Sequence, residues 1–85
     1  MTTHELTRAV TWLGRVRKVD VFLAYPSVGQ NHARIQIRKE GVFIEHIGST
    51  NGVFINGSRI PQAEPVLLAD GDVVLVGEAQ LIFHA

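Results

Sequence analysis

Two Asn-Gly pairs five residues apart, Asn51-Gly52 and Asn56-Gly57, enclose the apolar run Val53-Phe54-Ile55. Asn-Gly favours positive φ at low cost and marks a tight turn. A run so short, closed at both ends by turns, reads as a strand between two reversals. The first turn also displays Ser49 and Thr50 beside the Asn51 amide. A rigid loop carrying a hydroxyl and an amide, with no general base in reach, suits gripping a ligand rather than reacting with it.

The rest of the chain repeats this pattern. Glycine and proline interrupt it roughly every 8–12 residues, and the stretches between are rich in Val, Ile, Leu and Phe, as in an all-β sandwich or barrel. The predicted strands are Thr7–Leu13, Asp20–Ala24, Ala33–Lys39, Val42–His46, Val53–Ile55, Val66–Leu68, Asp72–Val76 and Ala79–His84. Ala33, Ile35 and Ile37 alternate with Arg34, Gln36 and Arg38, which predicts a half-buried strand with one wet face. Glu40-Gly41, Asn56-Gly57, Asp70-Gly71-Asp72 and Gly77-Glu78 supply the turns. Pro61 and Pro65 bracket a loop, where a missing N–H costs no ladder bond. No window shows helical periodicity, so no significant helix is expected. Trp12, Phe22, Phe43, Phe54 and Phe83 lie in strand runs and are expected in the core.

Eighty-five residues suffice for one core, burying roughly 60–65% of the unfolded surface; a single domain over residues 1–85 is expected. An apolar share of 46% places the chain among globular proteins. No apolar run approaches the roughly 18 residues that span a bilayer, and the N-terminus lacks a basic-then-apolar leader pattern. Without cysteine there is no disulfide and no thiolate metal site, and the chain suits a reducing compartment. His4, His46 and His84 are not spaced like metal ligands, so neither metal nor cofactor is expected. Eight basic residues balance eight acidic ones, a poor match to nucleic acid or a membrane surface, which call for a basic face. No nucleophile–base pair or paired carboxylates can be picked out, and the chain reads as a non-enzyme.

Three loops hold the remaining polar signals: Gly14-Arg15, Tyr25–His32 and Gly48–Gly52. In a sandwich, connections cluster at the two ends, and these loops are expected to share one. Together they would offer the guanidinium of Arg15, the hydroxyl of Thr50, and the amides of Gln30 and Asn51. An arginine fork matches the oxygens of phosphate or carboxylate, so the expected output is binding of an anionic group. Arg17 and Lys18 read as a solvated loop tip.

The series Leu13-Gly14-Arg15, Pro26-Ser27-Val28-Gly29-Gln30-Asn31-His32-Ala33, Ile44-Glu45-His46-Ile47-Gly48-Ser49-Thr50-Asn51-Gly52, Val53-Phe54-Ile55-Asn56-Gly57 and Asp70-Gly71-Asp72 resembles a forkhead-associated (FHA) domain. The likeness runs from about Val10 to Phe83. It implies an antiparallel β-sandwich of about eleven short strands, with loops at one end that bind phosphothreonine in a partner protein. Carried over, Arg15 pairs with the phosphate, Thr50 donates its hydroxyl, and Asn51 holds the peptide backbone. Gly29 and Gln30 complete the contact surface. Gly14, His32, Gly48, Ser49 and Gly52 shape the binding loops, with His32 anchoring its own loop to backbone. The implied partner is a threonine-phosphorylated protein or peptide in signalling. The domain itself is expected to be a monomer or weakly self-associating, and cytoplasmic, or nuclear in a eukaryote.

Two positions depart from the family pattern. Gly29-Gln30-Asn31-His32 stands where serine, arginine or asparagine, any residue, and histidine are usual, so a phosphate-binding hydroxyl is missing. The Gly29 N–H and the Gln30 amide are the expected substitutes, while alternation points Ser27 away. One hydrogen bond to a charged group contributes about 1.5–3 kcal/mol, so its loss weakens binding roughly 10–100-fold. His46 stands where aspartate is common and is expected to alter strand packing or surface charge. The alternative that Gly29 raises is a degenerate FHA domain serving as a phosphate-independent structural or assembly module.

Overall fold

The computed structural model describes residues 3–85. Among them are nine strands: β1 Val10–Gly14, β2 Val21–Phe22, β3 Ala33–Arg38, β4 Gly41–His46, β5 Val53–Ile55, β6 Ser58–Arg59, β7 Val66–Leu67, β8 Val73–Val76 and β9 Ala79–Ile82. They form a five-stranded sheet, β2-β1-β3-β4-β7, facing a four-stranded one, β6-β5-β8-β9. The all-β class stands, with nine strands where about eleven were expected. Residues 7–9 of the first predicted strand lie outside β1, and Ser58–Arg59 forms an additional two-residue strand.

Every pairing between the described strands is antiparallel except one, and an isolated parallel bridge joins His46 to Gln62. β1 and β2 run parallel, with Leu13 opposite Val21 and Gly14 opposite Phe22. A parallel crossover ordinarily needs a dozen residues, but a two-residue ladder requires only a short return. Asp20 closes that return: its carboxylate accepts the Trp12 N–H at 2.8 Å. The long hairpin β3–β4 pairs six residues a side, from Ala33 opposite His46 to Arg38 opposite Gly41. Its turn is therefore Lys39-Glu40, with Gly41 already inside β4.

Asn56 and Gly57 have φ of 50° and 87°, the two consecutive positive values of a type I′ hairpin. The Asn56 side chain accepts the Val73 N–H and donates to Asp72, tying this turn to the start of β8. Asp72 also accepts the Ala69 N–H, and these two bonds hold its carboxyl below the usual carboxylate range.

Strand alternation sets the core. Leu13, Ala33 and Ile44 from one sheet meet Val53, Val74, Val76 and Ala79 from the other, with Val21, Leu23, Val28, Ile60 and Leu68 closing the margins. Trp12, Phe22, Phe43 and Phe54 fall on the opposite parity, which corrects their expected place in the core, while Phe83 keeps the inner parity of Ala79 and Leu81. None of the five is fully buried; Phe22 is 42% exposed, and Phe83 is partly buried against the core cluster. Four of them carry a guanidinium over the ring instead: Arg17 on Phe22, Arg34 on Trp12, Arg38 on Phe43 and Arg59 on Phe54, at 5.0–5.9 Å. A cation over the ring face is attracted by its quadrupole, which lets a large apolar group sit outside the core. Arg34 also pairs with the nearly buried Glu45 at 2.9 Å, and Gln36 donates to the same oxygen.

Candidate functional site

The loop after β1, the loop before β3, the β4–β5 loop and the Gly77-Glu78 turn touch one another at one end of the sandwich. The Arg15 N–H donates to the carbonyls of Gly29 and Gln30 at 3.0 and 3.2 Å. The approach is so close that a Cβ on Gly14 would lie on the Gln30 carbonyl, so glycine at 14 is a steric requirement. The Arg15 Nε–H donates to the Val28 carbonyl at 2.9 Å. That bond fixes the stem of the fork and leaves the terminal nitrogens outward. The ion pairs among the described residues are Arg8–Asp20 and Arg34–Glu45, neither of which involves Arg15.

His32 lies beneath these loops, with no exposed surface. Its Nδ1 accepts the Gly29 N–H at 2.9 Å, and its Nε2–H donates to the Gly52 carbonyl at 2.7 Å. One neutral ring thus joins the two loops, in the tautomer that these partners dictate. Burial lowers its pKa below 6.5, the Gly52 bond opposes that, and nearby His46 adds to the lowering. The expectation that His32 anchors backbone extends further than its own loop, since it also holds the Gly48–Gly52 segment.

His46 corrects the surface-charge expectation. It is 3% exposed, its ring 5.7 Å from that of His32, and its Nε2–H donates to the Ser49 carbonyl at 3.1 Å. A carboxylate in that position would accept hydrogen bonds; the imidazole donates one and supports the β4–β5 loop from below. Ser49 in turn accepts the Asn51 N–H on its hydroxyl at 3.2 Å. The Asn51 side chain donates to the Ser27 carbonyl at 2.7 Å, which leaves its second N–H and its oxygen for other partners. Thr50 is exposed at the loop tip, and Gln30 is exposed beside Arg15.

Gly29 differs from its expected role. Its N–H is taken by His32 and is not a spare donor. A Cβ there would meet the Gly48 carbonyl at 2.6 Å and the Ser49 Cβ at 3.2 Å, so the two loops close over the space that a serine side chain would fill. Nothing surrounds Gly48 that demands glycine at that position; its carbonyl is what presses on Gly29. Gly52 has φ of 71°, and the Arg59 guanidinium lies 2.9 Å from where its Cβ would be. Gly29→Ser is expected to cost about 1–3 kcal/mol of stability through overpacking, without a gain in anion affinity. Denaturant unfolding and a binding titration check both halves, and unchanged stability with tighter binding would sink the account.

Ser27 and Glu78 form a contact that sequence reasoning missed. The Ser27 hydroxyl donates to the Glu78 carboxylate at 2.7 Å and accepts the Glu78 N–H at 2.9 Å. Gly77, with φ of 57°, is required there because a Cβ would meet the Ser27 carbonyl at 2.6 Å. The two partners are 51 residues apart, and only the Gly77-Glu78 turn signal marks one of them. Ser27 is therefore fully occupied and does not replace the missing hydroxyl at position 29.

A β-sandwich whose loops at one end converge on a shared buried histidine, displaying a guanidinium, a threonine and an asparagine, defines a protein-interaction module. The family model for the FHA domain matches residues 11–77, and the chain belongs to that family. It is 35% identical over 81 residues to the ABC transporter ATP-binding/permease protein Rv1747 of Mycobacterium tuberculosis, covering 95% of this chain and 9% of the transporter. It superposes with a TM-score of 0.89 and 25% identity on a domain solved in work on phosphothreonine-dependent FHA interactions, covering 99% of this chain and 84% of the other. Mycobacterium tuberculosis EmbR, solved with a low-affinity phosphopeptide, matches at a TM-score of 0.86 and 30% identity over 93% of this chain and 20% of its own.

Proposed function

We propose that the loop end binds phosphothreonine in a threonine-phosphorylated protein or peptide. Arg15 carries the reading: its Nε is anchored on the Val28 carbonyl while its terminal nitrogens have no carboxylate partner among the described residues. Two parallel N–H donors from such a fork match two phosphate oxygens. The Thr50 hydroxyl adds a third donor from the facing loop. Asn51, steadied by the Ser27 carbonyl, offers its remaining amide groups to the peptide backbone. The phosphopeptide held by the related EmbR supports the reading.

Affinity is expected to be modest. Gly29 contributes neither a hydroxyl nor a free N–H, which removes roughly 1.5–3 kcal/mol relative to a site with one more charge-assisted bond. The same observation favours a second reading, a scaffold that recognises its partner without phosphate. An amide-shift NMR titration with a degenerate phosphothreonine peptide library, run beside the unphosphorylated library, separates the two. Shifts at Arg15, Gln30, Thr50 and Asn51 with the phosphorylated set alone are expected. Equal shifts with both sets would favour the scaffold, and no shifts with either would sink the phosphothreonine reading.

A further inference from the structure

Beside the β4–β5 loop lies a groove of about 760 Å³. His46 lines it from the end of β4, Ser49 and Thr50 from that loop, Arg59 from the end of β6, and Ile60, Pro61 and Gln62 from the segment that follows. The segment is held in place by backbone: the Ala63 N–H donates to the His46 carbonyl at 2.8 Å, and the Gln62 amide donates to the Ile47 carbonyl at 2.8 Å. The groove is thus built on the end of β4 and opens beside Thr50.

Arg59 is the one arginine or lysine in its lining. The guanidinium lies over Phe54, 5.9 Å from the ring centroid, and against Gly52, where a Cβ would come within 2.9 Å of it. Its single hydrogen bond, Nη2–H to the Thr50 carbonyl, is long at 3.4 Å. The ion pairs among the described residues use Arg8 and Arg34, so the Arg59 charge has no carboxylate partner there. Ring, glycine and carbonyl together confine the side chain without neutralising it.

We infer that Arg59 determines specificity, reading an acidic side chain of the same peptide whose phosphothreonine binds at Thr50. The inference rests on the phosphothreonine reading and adds a second point of recognition to it. Thr50 lines the groove and is also assigned to the phosphate in the proposed function, so one extended peptide touches both. An extended chain advances about 3.3–3.6 Å per residue, which places the acidic side chain within about three residues of the phosphothreonine. The exposed apolar surface of Pro61 accepts the aliphatic part of that side chain or its neighbour.

The test is a charge-swap matrix. Phosphothreonine peptides with aspartate, alanine or lysine at each of the three positions on either side are titrated into the wild-type domain, Arg59→Gln and Arg59→Glu. At low salt the wild type is expected to bind the aspartate peptide about fivefold more tightly than the lysine peptide at one of these positions. Arg59→Gln is expected to level that preference and Arg59→Glu to reverse it. High salt is expected to erase it, as for any exposed charge pair. Thermal melts of both variants verify the fold, and Arg59→Gln keeps the test valid if the reversed charge unfolds the loop. Equal weakening of all peptides in either variant would mean that Arg59 only braces the loop, overturning the inference while leaving phosphothreonine binding intact. A wild-type domain that bound none of the phosphorylated peptides would remove both readings together.

Discussion

Arg15→Ala is expected to reduce affinity for phosphothreonine peptides by more than about 100-fold, while the melting temperature barely moves. Each hydrogen bond to a charged group contributes about 1.5–3 kcal/mol, and the fork offers two at once, so the lower end of the sum already exceeds a hundredfold. The stability side of the prediction follows from what Arg15 does within the domain. Its side chain makes one bond, to the Val28 carbonyl, and the two bonds from its backbone N–H persist in any substitution except proline. Arg15→Lys is the sharper comparison. It keeps the charge but loses both the Nε anchor and the planar fork, and roughly tenfold weakening is expected. Calorimetric titration of the three proteins with one peptide measures this. Unchanged affinity in Arg15→Ala would exclude the guanidinium from the site.

His32→Ala is expected to produce the opposite profile, a large loss of stability that takes binding with it. The ring is fully buried and satisfies the Gly29 N–H and the Gly52 carbonyl. Removing it strands both groups, each costing about 1–3 kcal/mol, and leaves a cavity besides. A total near 3–4 kcal/mol lowers the melting temperature of a domain this size by about 15 °C or more. The same residue sets a pH dependence whose sign is fixed. The folded pKa lies below 6.5 because burial disfavours the charged ring. The unfolded chain therefore takes up the proton first as pH falls past 6.5, and the stability present above that point is lost progressively toward the folded pKa. Protonation also turns Nδ1 into a donor facing the Gly29 N–H, which opens the joint between the two loops. Urea unfolding at a series of pH values checks both points, and a profile flat across about pH 7.5 to 5 would contradict the assigned role.

The turns and the order of the loops that converge at one end were legible in the sequence because their signals are local. Asn56-Gly57 announces its own hairpin, and Gly14-Arg15 and Ser49–Gly52 occupy the ends of strands whose alternation is plain. What escaped depends on residues far apart in sequence. Nothing in Tyr25–His32 indicates that Ser27 will meet Glu78, or that the Gly48 carbonyl will fill the space above Gly29. The parallel β1–β2 pairing hides because it spans two residues only. The outward aromatics were misjudged for a different reason. Composition ranks Phe and Trp as core residues, but parity along each strand had already assigned the inner face to Leu13, Ala33, Ile44 and Val53. His46 was noticed as a departure, yet only its neighbour His32 and the Ser49 carbonyl explain it.

The close approach of the Gly48 carbonyl to Gly29 makes the two loops one heritable unit. A serine at position 29 fits without strain only once the backbone at 48 and 49 has drawn back. The serine usual at this position in the family therefore carries a stability cost here unless positions 48 and 49 change with it. Laboratory evolution of a tighter binder from this scaffold therefore has to randomise position 29 together with positions 48 and 49. A library that visits them one at a time meets the overpacking cost at position 29 before any gain.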